Sequence, residues 1–241
     1  MTGFRRLDPV SLLVAPAVGY LGLVYGLPLL LLLGHSFVVD GTPSIASFVR
    51  FFADPFDWMV IANTLRIALA VTLVSLVIGW PTAIALARAK GAAQAAILVA
   101  IILPLSVGVV VKAFAWRSLL SEGGLLDWIL GPFGLHSPGY GLTAVIMTQA
   151  YIWLPYVILP IYAGMDRVPG SLLEAAGDLG APSALTIRTV VLPLALPAVI
   201  AGTIFSFSLT MGDYITVNIV GGANQMLGNL VYTNVGAANN L

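Results

Sequence analysis

The 241-residue chain is 59% hydrophobic, only 8% of its residues are charged, and its mean hydropathy is +1.02. A soluble domain carries about 25% charged residues, and a chain of this size must still expose much of itself to its solvent, so a water-soluble globule is excluded. Ten basic residues balance ten acidic ones and there is no cysteine, which leaves no basic footprint for nucleic acid and no thiol or disulfide chemistry.

The first predicted element is an apolar run over about 11–33. Arg5 and Arg6 precede it, as in a signal peptide. Val10 to Phe37 is longer than a signal core of roughly 7–15 residues, so this is read as a retained span. Crossing a hydrocarbon layer of roughly 30 Å takes about 20 helical residues. Four more runs meet that length, at about 65–87, 92–116, 140–164 and 190–211. Backbone amides in lipid must be paired, which makes these runs helices. They are too long for the strands of a barrel, which need only about ten alternating residues. Together they predict an all-α polytopic membrane bundle forming a single transmembrane domain over residues 1–241.

Loop charge sets the expected orientation. Arg5, Arg6, Arg88, Lys90, Arg167 and Arg188 fall on one side, six of the ten basic residues. Asp40, Asp54, Asp57, Glu122, Asp127 and Asp213 fall on the other. The N-terminus is therefore expected to face the cytoplasm. Arg66 and Lys112 lie near the outer ends of their spans, where long side chains can snorkel to the headgroups. His35 and His136 have no metal-ligand spacing. Beyond the last run, Asn218, Gly221, Gly222, Asn224, Gly228 and Asn229 read as turns and short helical pieces of an external loop with a re-entrant or interfacial portion.

The loop over 165–189 holds the most specific pattern. Ser171 and Glu174 have capping-box spacing, so a helix is expected to start near Leu172. Leu172, Leu173, Ala175, Ala176 and Leu179 give it an apolar surface. Gly180 can end it in a left-handed conformation, and Pro182 blocks its continuation. A helix of about two turns is not stable alone. Glu174 and Asp178, with no lysine nearby, make an anionic lipid surface a poor partner. The short helix therefore needs a protein socket on the cytoplasmic side.

Glu174-Ala175-Ala176, three residues, Gly180, nine residues, then Val190-Val191-Leu192-Pro193 resembles the EAA loop of bacterial ABC importer permeases. Val190 stands where that family commonly has isoleucine. Leu103-Pro104-Leu105, Lys112 to Trp116, Gly123-Gly124, Met211-Gly212-Asp213-Tyr214, Gly221-Gly222 and Leu227-Gly228-Asn229 look most like the permeases of spermidine and putrescine importers. Permeases for iron, thiamine, sulfate and opine-like compounds share parts of the same pattern. The resemblance implies the type I importer permease fold, with a coupling helix that sits in a groove of an ATPase subunit. It implies two cytoplasmic ATPase subunits that bind ATP and Mg, a second permease that is identical or closely related, and a soluble substrate-binding protein outside. It also implies a sixth span beyond Asn234 to Leu241 that this sequence does not contain, so a longer natural chain is expected.

On this reading Ser171, Glu174, Ala175, Ala176, Asp178 and Gly180 couple the chain to the ATPase. Asp213 is the candidate acid of the substrate pathway, because an ionisable group near a membrane path is costly and hence a functional candidate. Trp116, Tyr151, Trp153 and Tyr156 are candidate aromatic contacts for alkylammonium groups, although belt and packing roles account for aromatic residues equally well. The chain has no glycine-rich phosphate loop ending in Lys-Ser/Thr, no nucleophile–base cluster and no metal set, so no catalytic site and no cofactor are expected in it. A gradient-driven secondary transporter or channel subunit is the alternative that the residues leave open.

Overall fold

A computed structural model describes residues 9–39 and 41–237. Arg5, Arg6 and Asp40, on which part of the orientation reading rests, lie outside the described residues, as does the end of the chain over 238–241. Two compact units divide the chain near Trp58.

In the first unit, α1 (Pro9–Leu21) passes through a π-turn at Gly22–Gly26 into α2 (Leu27–Ser36). Val38–Val39 then pairs antiparallel with Thr42–Pro43, with Gly41 in the left-handed region of the turn (φ 75°). The short α3 (Ala46–Ala53) follows, and Phe37 packs on Phe48 with ring centroids 5.0 Å apart. The indole Nε1 of Trp58 donates to the Phe52 carbonyl at 3.0 Å.

The second unit holds the bundle. Helix α4 (Pro55–Arg88) runs 34 residues, about 50 Å at 1.5 Å per residue. Two positive-φ glycines bracket the next long segment, Gly91 (φ 59°) at its start and Gly123 (φ 68°) past its end. The run expected as one continuous span over 92–116 is instead broken. Helix α5 (Gly91–Ile102) tightens into a 3₁₀ turn at Leu103–Ser106, and α6 (Val109–Leu120) leaves at 101° to it. Pro104 has no amide to continue the α ladder, and Val107 and Gly108 are extended before α6 begins. Lys112, expected to snorkel outward, lies on this second arm and is buried.

A short α7 (Leu125–Leu130) leads to α8 (Leu142–Asp166), then to α9 (Gly170–Asp178) and α10 (Ser183–Thr186). A π-turn at Ile187–Val191 opens α11 (Leu192–Gly212). The chain ends in α12 (Tyr214–Val220), α13 (Leu227–Val231) and a π-turn at Tyr232–Ala237. Among the described residues, counting the bent pair as one span, five helical segments are long and apolar enough to cross a membrane.

Glycines set how closely the central helices approach. A Cβ on Gly79 of α4 would stand 3.0 Å from the Val157 side chain of α8. One on Gly202 of α11 would stand 3.2 Å from Val157 Cα and O, and one on Gly164 of α8 would overlap Ala198 of α11. Missing side chains thus let backbones touch, the usual packing device where no hydrophobic force drives helices together. These contacts also fix direction. Along α8, Val157 precedes Gly164, whereas their partners on α11, Gly202 and Ala198, come in the reverse order, so α8 and α11 are antiparallel.

The segment after α11, read as an external loop, is packed inward. Val217, Val220 and Met226 are buried with Ile67 and Val71 of α4 and Val145 of α8. The Asn63 side chain donates to the Gln225 carbonyl at 2.8 Å, and the Leu227 amide donates to Thr64 Oγ1 at 2.9 Å. Asn229 donates to Asn218 Oδ1 at 2.7 Å and accepts from the Met226 amide at 3.2 Å. Asn224 and Asn229 therefore satisfy backbone groups of tight turns, while Asn218 is exposed and pairs with the Asn229 side chain.

Candidate functional site

Two places bring sequence-derived candidates together, one at each end of the α8–α11 pair. At the first end, α9 begins at Gly170, two residues earlier than expected. Pro169 is its N-cap residue (φ −60°, ψ 129°), with no side-chain cap hydrogen bond. The expected capping box is therefore not formed: the fixed φ of Pro169 sets the helix start, which places Ser171 and Glu174 inside the helix. The end is as expected. Gly180 has φ 70°, its amide donates to the Gly177 carbonyl at 2.8 Å, and the Ala181 amide donates to the Ala176 carbonyl at 3.0 Å. This is the Schellman pair of bonds.

Leu173 and Gly177 of α9 border a cavity of about 450 Å³ whose far wall includes Ile84, Arg88, Met165 and Ile187. Leu172 stays exposed, as do Ser171, Glu174, Ala175 and Asp178. Leu179, just past the helix, is 88% exposed, and Ala176 is half-buried. A two-turn helix so little covered by its own chain presents an apolar and acidic face outward.

At the opposite end, α11 stops at Gly212 and α12 starts at Tyr214, with Asp213 between them. Asp213 is buried, and its carboxylate accepts from both the amide and the hydroxyl of Thr216. It is thus the N-cap of α12, as well as the expected ionisable group at the end of the span. Asp213 and Trp153 line one cavity of about 320 Å³ with Val109, Ser208, Gly212 and Tyr214. A second cavity, of about 550 Å³, shares Gly212 and Tyr214 and is walled by Tyr232, which stacks on Tyr214 at 4.6 Å.

The five pathway candidates do not all converge. Trp153 joins Asp213, and Tyr156 touches Trp153 edge-on with centroids 5.8 Å apart. Trp116 and Tyr151 form a separate pair at 5.6 Å and do not line that cavity. Sequence reasoning did not single out Thr216, Ser208 or Tyr214. The spacing Asp213-x-x-Thr216, an acid three residues ahead of a hydrogen-bonding partner, was the available signal for the cap.

The segment between α6 and α8 is also organised by one acid. Asp127 accepts from the Ser137 and Gly123 amides. These bonds, Ser137's first, hold its carboxyl below the ordinary aspartate range. Arg117 lies over the Tyr140 ring at 5.4 Å.

The family model for "binding-protein-dependent transport system inner membrane component" matches residues 123–237, which includes α9, Trp153 and Asp213. The inner membrane ABC transporter permease protein YdcU of Escherichia coli K12 is 37% identical over 253 residues, covering 95% of this chain and 80% of that protein. The spermidine/putrescine transport system permease protein PotB of the same organism is 31% identical, covering 91% and 84%. Among solved structures, a bacterial alginate ABC transporter in complex with a periplasmic protein superposes with a TM-score of 0.77 over 95% of this chain and 84% of that one, at 14% identity. That likeness establishes the fold, the type I ABC importer permease bundle. The chain belongs to the family of binding-protein-dependent ABC permeases, and it is the multi-pass, non-catalytic membrane subunit of such an importer.

Proposed function

We propose that this permease carries a polyamine, or a small solute of similar chemistry, and that α9 is its coupling helix. The observation that carries the substrate reading is the cavity that buried Asp213 and Trp153 both line. A carboxylate and an indole in one cavity can attract alkylammonium groups by charge and by the ring quadrupole. The likeness to PotB, a spermidine/putrescine permease by name, supports the same class.

Coupling follows from α9. It is too short to stand alone and leaves Leu172, Glu174 and Ala175 outward. On this reading one ATPase subunit seats α9, a second subunit seats the equivalent helix of a second permease, identical or closely related, and ATP with Mg is bound by the ATPase pair. The cytoplasm then lies at the α9 end, with Arg88, Lys90, Arg167 and Arg188 around it, as the positive-inside bias requires. The N-terminus is on that side too, and a substrate-binding protein meets the α12 end. ATP closes the ATPase dimer, α9 moves with it, and the bundle exchanges one access state for the other.

ATP-dependent uptake of radiolabelled spermidine and putrescine by the reconstituted complex tests the substrate. Uptake is expected for at least one and is lost on ATP depletion. A complex that hydrolyses ATP yet takes up neither would remove the polyamine reading while leaving the permease assignment in place.

A further inference from the structure

Among the described residues, six enclosed polar atoms of α8 and α11 have no hydrogen-bond partner; one is Thr148 Oγ1, and the other five are Gln149 Nε2 and Oε1, Trp153 Nε1, Ser206 Oγ and Thr210 Oγ1. Gln149, Ser206 and Thr210 are 0% exposed, and Trp153 is 8% exposed. Helix register brings them together. Val157 lies against Gly202. One turn of about four residues back along α8, and one turn on along the antiparallel α11, sets Trp153 level with Ser206. A further turn sets Gln149 level with Thr210. On the parallel α4, Gly79 lies against Val157, so one turn back places Ser75 level with Trp153. The Ser75 hydroxyl is enclosed and unpartnered as well. The seam leads from mid-bundle toward the Asp213 cavity, and Trp153 belongs to both.

Buried polar groups are nearly always paired, and an apolar core of the same shape would be more stable than a half-satisfied network. The opposite half of the same helix pair needs no such groups. There Gly164 meets Ala195 and Ala198, and Gly202 meets the Val157 backbone. These glycine contacts are close and involve no polar side chain.

We propose that Gln149, Trp153, Ser206 and Thr210 line a stretch of the transport path that is shut in this structure, opens from the Asp213 cavity, and pivots on the glycine contacts at Gly164 and Gly202. The inference rests on the chain being a permease subunit but not on its cargo being a polyamine. The seam offers donors and acceptors without a formal charge. It therefore suits transit of a hydrogen-bonding solute with its water and does not retain a cation. Two bistable arrangements are implied: one packs the seam and one hydrates it.

The chain has no cysteine, so Ser206→Cys and Thr210→Cys, both near-isosteric, can each be introduced alone into the assembled importer in proteoliposomes. A small charged methanethiosulfonate added from the α12 side is the probe, with Ala195→Cys from the clamped half as the control. Both seam thiols are expected to react at least about tenfold faster during ATP turnover than without nucleotide, because access controls thiol reactivity, while the Ala195→Cys thiol stays inert throughout. Seam thiols as inert as the control in every state, or a control as reactive as the seam, would overturn the proposal. Persisting ATP-dependent uptake by the same variants would then show that only the seam, and not the permease assignment, had failed. A second variant reads the polar role itself. Gln149→Leu removes the unpartnered donor and acceptor at similar volume, and is expected to raise the melting temperature in detergent while slowing the ATP-dependent modification of Ser206→Cys in the same chain about tenfold, the scale of one lost hydrogen-bonding group. A purely structural glutamine would give a lower melting temperature, and that result counts against the proposal.

Discussion

The two ends of the α8–α11 pair are built on opposite principles. At the α9 end, glycines and alanines let backbone meet backbone, and the chain then displays a short helix that its own residues barely cover. At the α12 end, the same helices bury glutamine, threonine, serine and indole groups without pairing them, and the terminal segment folds in above them. A dry, close contact has one low-energy arrangement, because interiors resist small changes of volume. An unpaired polar contact has less to lose by opening. The difference points to a stiff end suited to receiving force and a softer end suited to admitting solute. Each prediction below attacks one end and asks whether the other is spared.

The largest effect is expected at α9. Ala176→Trp puts an indole on a half-buried face of the helix that is proposed to dock. Gly180→Pro demands φ near −65° where the backbone sits at 70°, and it removes the amide that donates to Gly177. Either variant should abolish uptake and ATPase co-purification while the chain still inserts in the membrane. Normal transport by both would remove α9 from the coupling role.

The clamp comes next. Gly202→Ala places a methyl 3.2 Å from the Val157 backbone, where neither partner can yield cheaply. Overpacking of this kind costs about 1–3 kcal/mol, measurable as a lower melting temperature of the purified complex. Gly212→Ala is the control, since a Cβ there meets nothing within 4 Å. Equal behaviour of the two alanine variants would mean that the close approach of α8 and α11 is not a constraint.

These contrasts were unevenly legible in the sequence. Apolar length located the long helices because lipid imposes a length and forbids unpaired backbone. The end of α9 was readable at Gly180, since a left-handed residue there terminates the helix without a Cβ penalty. Its start was not, because Pro169 and the Ser171–Glu174 pair are competing signals and only the backbone shows that the proline prevails. The 101° break had a local signal in Pro104 and Gly108, but hydropathy is blind to direction, so a bent run and a straight one look alike. The polar seam was not legible at all. Gln149, Ser206 and Thr210 are ordinary residues in apolar runs, and their isolation arises only from which helix faces which.

At the α12 end the substitution to make is Asp213→Asn. Asparagine caps helices about as well as aspartate, so the Thr216 amide keeps its acceptor and the start of α12 should survive. The charge is lost, and the Thr216 hydroxyl must turn to accept from the new amide nitrogen. Uptake of a dication should fall about tenfold, the weight of roughly 1.4 kcal/mol of attraction, with the melting temperature unchanged. Unchanged uptake would reduce Asp213 to a helix cap. A drop in both quantities would show that the charge itself is needed to hold the cap.

The smallest effect is expected between α6 and α8, where Asp127 organises the chain from Gly123 to Ser137. Its folded pKa is depressed, chiefly by the Ser137 amide and then by that of Gly123. A depressed carboxylate stabilises the fold above its unfolded pKa, and that contribution drains away as pH falls through the lower, folded value. Hydrogen exchange at the Gly123 and Ser137 amides should therefore be slow near neutral pH. Protection should fade below the usual carboxylate range, while amides inside α8 stay protected. Asp127→Asn should flatten this dependence, because no proton is left to bind. A turn whose protection fell with pH just as steeply in the asparagine variant would owe its order to another group.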